Sequence, residues 1–173
     1  MRRRGWAPPS SPMRRVAPIN SRRCIKEVGG SLIVPQAADG RKSKSVILVE
    51  DDRSVAEMYR LGLELHGFRV TIAGSGDELF ASLADLVPDA IVLDYELPGA
   101  KGDEVLERIR RDDRTRAAVV FMLSNFPATY RGAIDRVFRA GAIAWLQKTT
   151  THPKMLAEKL AEALARPHVR EGV

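Results

Sequence analysis

The sequence predicts an α/β fold, a doubly wound five-stranded parallel sheet in a three-layer sandwich, on three observations. Five short apolar runs recur between residues 45 and 166. Longer segments of helical period separate them, and those segments carry start and stop residues where helix ends need them. Strict alternation of this kind implies right-handed crossovers with helices on both faces of one sheet.

The first run, Val46 to Val49, is apolar throughout, as a strand covered on both faces should be. Ser54 and Glu57 then have capping-box spacing, and Val55, Met58, Leu61 and Leu65 make an apolar stripe that ends before Gly67. The second run, Phe68 to Ala73, alternates polar with apolar and is expected at a sheet edge. Ser75 with Glu78 repeats the capping-box spacing, and Leu79, Leu83 and Leu86 form the second stripe. Ala90 to Leu93 is the third strand, followed by a helix carrying Val105, Leu106 and Ile109. Val119 to Leu123 is the fourth, followed by Ile134, Val137 and Phe138 and a stop at Gly141. Ala142 to Leu146 is the fifth, and Pro153, tolerated in a first helical turn, opens a helix with Leu156, Leu160 and Leu164.

The chain has 173 residues, enough for one core of ordinary size. No apolar run approaches the roughly 20 residues of a membrane span. Cys24 is the only cysteine, which excludes an intrachain disulfide or a multi-cysteine zinc site and fits a reducing, cytoplasmic setting. There are 28 Lys and Arg against 22 Asp and Glu, but the excess is local. Residues 1–44 hold eleven basic side chains against Glu27 and Asp39, a net of +9, which leaves residues 45–173 at −3. The first 23 residues are rich in Arg, Pro and Ser and predict disorder, with Met13 available as a later start. The expected organisation is therefore a basic tail and linker at 1–44, one domain at 45–168 and a short tail at 169–173. The Arg-rich tail lacks aromatic interleaving beyond Trp6, so a nucleic-acid role is disfavoured and confined to that segment.

Ligands of open parallel sheets bind beyond the carboxyl ends of the strands. The residues there are Glu50, Asp51 and Asp52 after the first run, Asp94 after the third, Ser124 after the fourth and Lys148 after the fifth. Clustered carboxylates repel unless a cation compensates them, and oxygen ligands without His or Cys favour a hard ion such as Mg²⁺. Beside such an ion Asp94 could attack a phosphorus centre, with Ser124 and Lys148 binding the transferred oxygens. Each residue also has a plainer reading: an acidic helix start for residues 50–52, a turn residue for Asp94, a loop hydroxyl for Ser124, a solvated amine for Lys148, a core aromatic for Trp145. Their placement at four strand ends favours one site. His66, His152 and His168 show no metal spacing, and Arg131, Arg136 and Arg139 are expected on a solvated face of the fourth helix, with an acidic partner as the alternative.

Four stretches occur in order: Val46-Ile47-Leu48-Val49-Glu50-Asp51-Asp52, Leu93 to Gly102 with Pro98 and Gly102 four and eight residues after Asp94, Met122-Leu123-Ser124, and Gly141 to Lys148. In these the chain resembles the response-regulator receiver domains of two-component signalling, whose fold is a flavodoxin-like (βα)5 sandwich. The resemblance covers residues 45 to about 166. It implies that Asp94 is the phosphoacceptor and that Mg²⁺ is held by Asp51, Glu50, Asp94 and the backbone carbonyl of Glu96. It further implies that Ser124 and Lys148 bind the phosphoryl group, and that Ser124 and Trp145 form the switch. The implied partners are a histidine kinase or histidine phosphotransfer protein, and a downstream protein on the face of the fourth helix, fifth strand and fifth helix.

Because the chain ends about seven residues after the last helix, a stand-alone receiver is expected, not an enzyme beyond accepting and slowly losing the phosphoryl group. Two departures are visible. Thr149 follows Lys148 where the family usually has proline, which implies a differently set loop. Asn125 and Phe126 follow Ser124, where a small residue is common, and are expected to narrow the entrance or to change access of the hydrolytic water. The alternatives are a receiver-like binding module that works without phosphorylation, and an aspartate-nucleophile phosphatase. The latter carries its acid pair after the nucleophile, whereas here the pair precedes it.

Overall fold

The computed structural model describes residues 43–126 and 131–166; residues 1–42 of the predicted basic tail, with Trp6, Met13 and Cys24, and residues 167–173, with His168 and the predicted short tail, lie outside the described residues. The elements are β1 (Ser45–Val49), α1 (Arg53–Leu65), β2 (Arg69–Ala73), α2 (Gly76–Asp85), β3 (Ala90–Asp94), β4 (Glu96–Leu97), β5 (Ala100–Lys101), α3 (Gly102–Arg111), β6 (Val119–Ser124), α4 (Arg131–Arg139), β7 (Ala144–Gln147) and α5 (Pro153–Ala165). Five strands form one parallel sheet in the order β2-β1-β3-β6-β7. The order turns back at β1 and β3, so their carboxyl ends flank the crevice where ligands of such sheets bind.

Strand periodicity divides the core into two layers. Ile47, Val49, Ile91, Leu93, Val120 and Met122 pack with α2, α3 and α4, while Val46, Leu48, Val92, Phe121 and Leu123 pack with α1 and α5. β2 is the edge its alternation predicts. β7 is the other edge and is half-buried throughout, unlike the fully covered strand expected from a continuous apolar run. The strand also begins later than Ala142, because Ala142 belongs to the end of α4. Gly141 takes φ +90°, and the Ala142 N–H reaches back to the Val137 carbonyl at 3.1 Å, a left-handed helix cap. Gly67 ends α1 in the same way at φ +87°, with the Phe68 N–H on the Leu63 carbonyl.

Four details of the helices differ from expectation. Asp52, not Ser54, caps α1: its Oδ1 accepts from the N–H groups of Ser54 and Val55 at 2.8 and 3.1 Å. The face of α1 turned to the core carries Ala56, Tyr59 and Leu63, whereas Met58, Leu61 and Leu65 are exposed. Ser75 does cap α2, but the Glu78 carboxylate reaches one residue further back, to the N–H of Gly74 at 2.7 Å. In α4, Val137 is buried while Phe138 is exposed.

The hairpin of β4 and β5 is absent from the five-pair expectation. Pro98 and Gly99, the latter at φ +79°, turn the chain so that Leu97 faces Ala100 across an antiparallel pair. The hairpin leads straight into Gly102, whose N–H donates to the Tyr95 carbonyl at 2.8 Å. A Cβ on Gly102 would lie 2.5 Å from Met122 Cε and 2.9 Å from the Asp94 carbonyl oxygen. Gly102→Ala is therefore expected to lower unfolding free energy by about 1–3 kcal/mol, the usual cost of overpacking, as read by denaturant titration.

Candidate functional site

Each candidate side chain owes its position to a strand end. Parallel pairing of β1 with β3 and of β3 with β6 brings Glu50, Asp94 and Ser124 to one rim of the sheet. Pairing of β6 with β7 sets Gln147 opposite Ser124, and the Lys148 N–H then donates to the Ser124 carbonyl at 2.9 Å. These residues open on a cleft of about 490 Å³ that is lined by Glu50, Asp51, Asp52, Val55, Met58, Tyr59, Asp94, Glu96, Asn125, Lys148 and Thr149.

Glu50 and Asp94 are buried, and Asp51 is exposed at the mouth. Lys148 bridges the two buried acids, its Nζ lying 2.6 Å from Asp94 Oδ2 and 2.8 Å from Glu50 Oε1. Burial pushes both carboxyls above their ordinary range, and the hydrogen bond and charge of Lys148 oppose the rise without cancelling it. Burial alone would lower Lys148, but its hydrogen bonds to Asp94 and Glu50 prevail and hold the ammonium above its usual value. One cation thus serves two buried anions, and Asp51 adds a third negative charge beside them.

The donor set suits a hard divalent ion. Glu50, Asp51 and Asp94 each offer a carboxylate oxygen, and these atoms lie within 4.8 Å of one another. Two ligands on one Mg²⁺ are at most about 4.2 Å apart at its usual bond lengths, so small side-chain rotations close the set. Glu50 Oε2 is buried and ion-paired with the Lys148 ammonium 2.6 Å away, while Oε1 accepts its hydrogen bond at 2.8 Å.

Glu96 lines the cleft; its N–H donates to Asp94 Oδ1 at 3.2 Å, while its carboxylate turns away to Lys101 at 2.9 Å. Ser124 is fully buried at the end of β6, and its Oγ accepts from the Phe126 N–H at 3.1 Å. Trp145 is half-buried and set back from the acids; its Nε1–H donates to the Phe126 carbonyl at 3.5 Å, and its ring lies 5.1 Å from that of Tyr95. Phe126 does not narrow the entrance in the manner expected. Its ring stands edge-on to Tyr95 at 6.2 Å, and Asn125 is the residue of that pair lining the cleft. Thr149 follows Lys148 without a cis bond, none being present among the described residues.

Several participants are not legible in the sequence. Arg136 is not a free member of a solvated face: its Nε pairs with Asp103 at 2.5 Å and its Nη2 with Tyr95 Oη at 3.2 Å, linking α4 to α3 and to the residue after Asp94. Tyr59 lines the cleft and hydrogen-bonds across to Thr151. The sequence signal for it is the spacing of Ala56, Tyr59 and Leu63, which competes with the more apolar Val55, Met58, Leu61 and Leu65. His66 and His152 sit at helix ends.

Comparison with known proteins gives one consistent result. The family described as "Response regulator receiver domain" matches residues 46–160. The phosphate regulon transcriptional regulatory protein PhoB of Pseudomonas aeruginosa is 30% identical over 126 residues, 71% of this chain and 52% of that protein. A protein-glutamate methylesterase/protein-glutamine glutaminase of Gluconobacter oxydans is 31% identical over 115 residues, 65% of this chain and 32% of its own. The CheY-like receiver domain protein of Methanospirillum hungatei superposes with a TM-score of 0.65 at 25% identity, covering 71% of this chain and 94% of that one. The chain spans about half the length of the curated relative PhoB.

Proposed function

The chain belongs to the response regulator receiver domain family, and we propose that it accepts a phosphoryl group on Asp94 and signals by the resulting change at Ser124 and Trp145. One observation carries this reading: the Lys148 ammonium joins Asp94 at the end of β3 to Glu50 after β1, beside Asp51. That is the charge arrangement a phosphoacceptor needs, a buried nucleophile, a donor for the incoming oxygens and an acid group able to hold a cation.

In the proposed reaction an Asp94 carboxylate oxygen forms a bond to phosphorus as the donor's P–N bond breaks, if the donor is a phosphohistidine. The electron pair leaves with the imidazole nitrogen, which takes up a proton. With acetyl phosphate the broken bond is P–O and acetate leaves. Glu50, Asp51, Asp94 and the Glu96 carbonyl would hold Mg²⁺, which supplies charge neutralisation between the carboxylate and the phosphoryl oxygens. Lys148 moves its hydrogen bond from Asp94 to a phosphoryl oxygen, and the Ser124 hydroxyl leaves the Phe126 N–H to donate to another. Space vacated by Ser124 lets Trp145 turn inward, biasing the surface of α4, β7 and α5.

The phosphoryl source is proposed to be a histidine kinase or phosphotransfer protein, and the output a protein contact on that surface, within the cytoplasm. Residues 45–168 are the proposed receiver, which undergoes phosphorylation without multiple turnover. No helix among the described residues is long and apolar enough to cross a membrane. The test is incubation of the full chain with acetyl phosphate and Mg²⁺, followed by intact mass measurement. One added phosphoryl group per chain is expected with Mg²⁺ and none with excess chelator; equal labelling in both removes the metal from the account.

A further inference from the structure

The reach of Lys148 depends on a short segment, residues 148–152, between β7 and α5. Its near end is tied to the sheet by the Lys148 N–H on the Ser124 carbonyl. The N–H groups of Thr150 and Thr151 both turn back to the Gln147 carbonyl, at 3.2 and 2.9 Å, which makes the segment a compact turn. Its far end is held by Tyr59 from the middle of α1: Tyr59 Oη donates to the Thr151 carbonyl at 2.7 Å in a fully buried bond. The two helices are close enough for this because α1 presents Gly62 to Pro153, where a Cβ would come within 2.1 Å of the proline Cβ.

A phenylalanine would fill the same apolar space among Leu63, Leu156 and Leu160, so packing does not account for the hydroxyl. Burying a hydroxyl is unfavourable unless it finds a partner, and the partner here is the carbonyl three residues beyond the lysine. The same helix begins at Asp52, directly after the acids Glu50 and Asp51. The Tyr59 bond therefore fixes the lysine-bearing turn to the element that starts beside the lysine's own carboxylate partners, and the Tyr59 ring lines the cleft with them.

We infer that Tyr59 is a positioning residue that aims the Lys148 ammonium through the 148–151 turn. The inference rests on the phosphoacceptor reading above. Misplacement of a catalytic group by a fraction of an ångström to 1 Å costs about 10- to 100-fold in rate. Tyr59→Phe, which keeps the ring and removes only the hydroxyl, is expected to lower the maximal rate of labelling by acetyl phosphate about tenfold.

The discriminating measurement repeats the substitution in a Lys148→Met background, with circular dichroism melts showing all four proteins folded at the assay temperature. If Tyr59 acts through the lysine, Tyr59→Phe slows the parent about tenfold and has no effect once the ammonium is gone. Equal slowing in both backgrounds, or an unchanged rate in the parent, overturns the inference. Should Tyr59→Phe not fold, exchange of the Tyr59 hydroxyl proton in the unsubstituted chain decides: a slowly exchanging, observable hydroxyl resonance supports the tether, and exchange too fast to observe overturns it. An unsubstituted chain that takes no label strikes the phosphoacceptor reading itself; a labelled chain indifferent to Tyr59→Phe strikes only the tether.

Discussion

Asp94→Asn is expected to abolish labelling by acetyl phosphate while leaving the fold intact. The amide is nearly the same shape as the carboxylate, so the Glu96 N–H at 3.2 Å keeps an oxygen acceptor and β3 keeps its pairing. Lys148 retains Glu50 as a partner at 2.8 Å, so the ammonium is not stranded. The nucleophile is lost, because an amide's lone pair is delocalised and carries no net charge. Intact mass measurement after incubation with Mg²⁺ should show only the unmodified chain. Retained labelling at full stoichiometry would assign the phosphoacceptor to another residue.

Lys148→Met is the second large effect. The ammonium is the donor already aimed at Asp94, and removing one such donor from a preorganised site costs about 10²–10³ in rate. Two further consequences follow from the same charge. Burial holds Asp94 and Glu50 above the ordinary carboxyl range, and Lys148 is what restrains that rise. Without it both groups rise further, so the acid limb of the labelling rate is expected to move to higher pH, since Asp94 must be ionised to attack. Stability follows the same sign. A carboxyl whose folded-state pKa is raised is destabilising when ionised, and folding gains free energy as pH falls through that raised value. The variant, with two buried acids left uncompensated, is expected to lose about 3–5 kcal/mol at neutral pH. The deficit should shrink as the pH is lowered, as read by denaturant titration at several pH values in the absence of divalent ions.

The site was legible where a strand end decides it. Glu50, Asp94, Ser124 and Lys148 directly follow or close apolar runs, and a parallel sheet carries such positions to one rim whatever the details of packing. The buried face of α1 differs from the one its periodicity predicts because two faces of that helix are apolar. Met58, Leu61 and Leu65 outweigh Ala56 and Tyr59 in hydrophobicity, yet α1 packs close to α5, and small Ala56 and Gly62 permit the approach. Asp52 and Ser54 are both good caps, and only the chain direction out of β1 chooses between them. Arg136 is exposed as a solvated face requires, but its partners, Asp103 and Tyr95, lie 33 and 41 residues away, beyond the reach of local spacing. Ala142 continued an apolar run in sequence but serves as the residue that closes the α4 cap.

These misreadings share a cause. Local pattern specifies which residues are apolar and which can cap, but it does not specify which apolar face meets a neighbour. The placement of the rim residues is independent of them because it depends on strand ends alone. The role of Tyr59 is not, since its hydroxyl gains meaning only from the distance between α1 and the turn after β7.

Everything above turns on Asp94 bonding covalently to phosphorus beside a divalent cation. The most direct measurement is a crystal structure of the full chain grown with Mg²⁺ and beryllium fluoride, which mimics a phosphoryl group on a carboxylate. Expected are the fluoride complex joined to an Asp94 carboxylate oxygen, Mg²⁺ in contact with Glu50, Asp51 and Asp94, and the Lys148 ammonium turned from Asp94 to a fluoride. A cleft holding neither, with Lys148 still bridging Asp94 and Glu50 at saturating concentrations of both, would contradict that bonding.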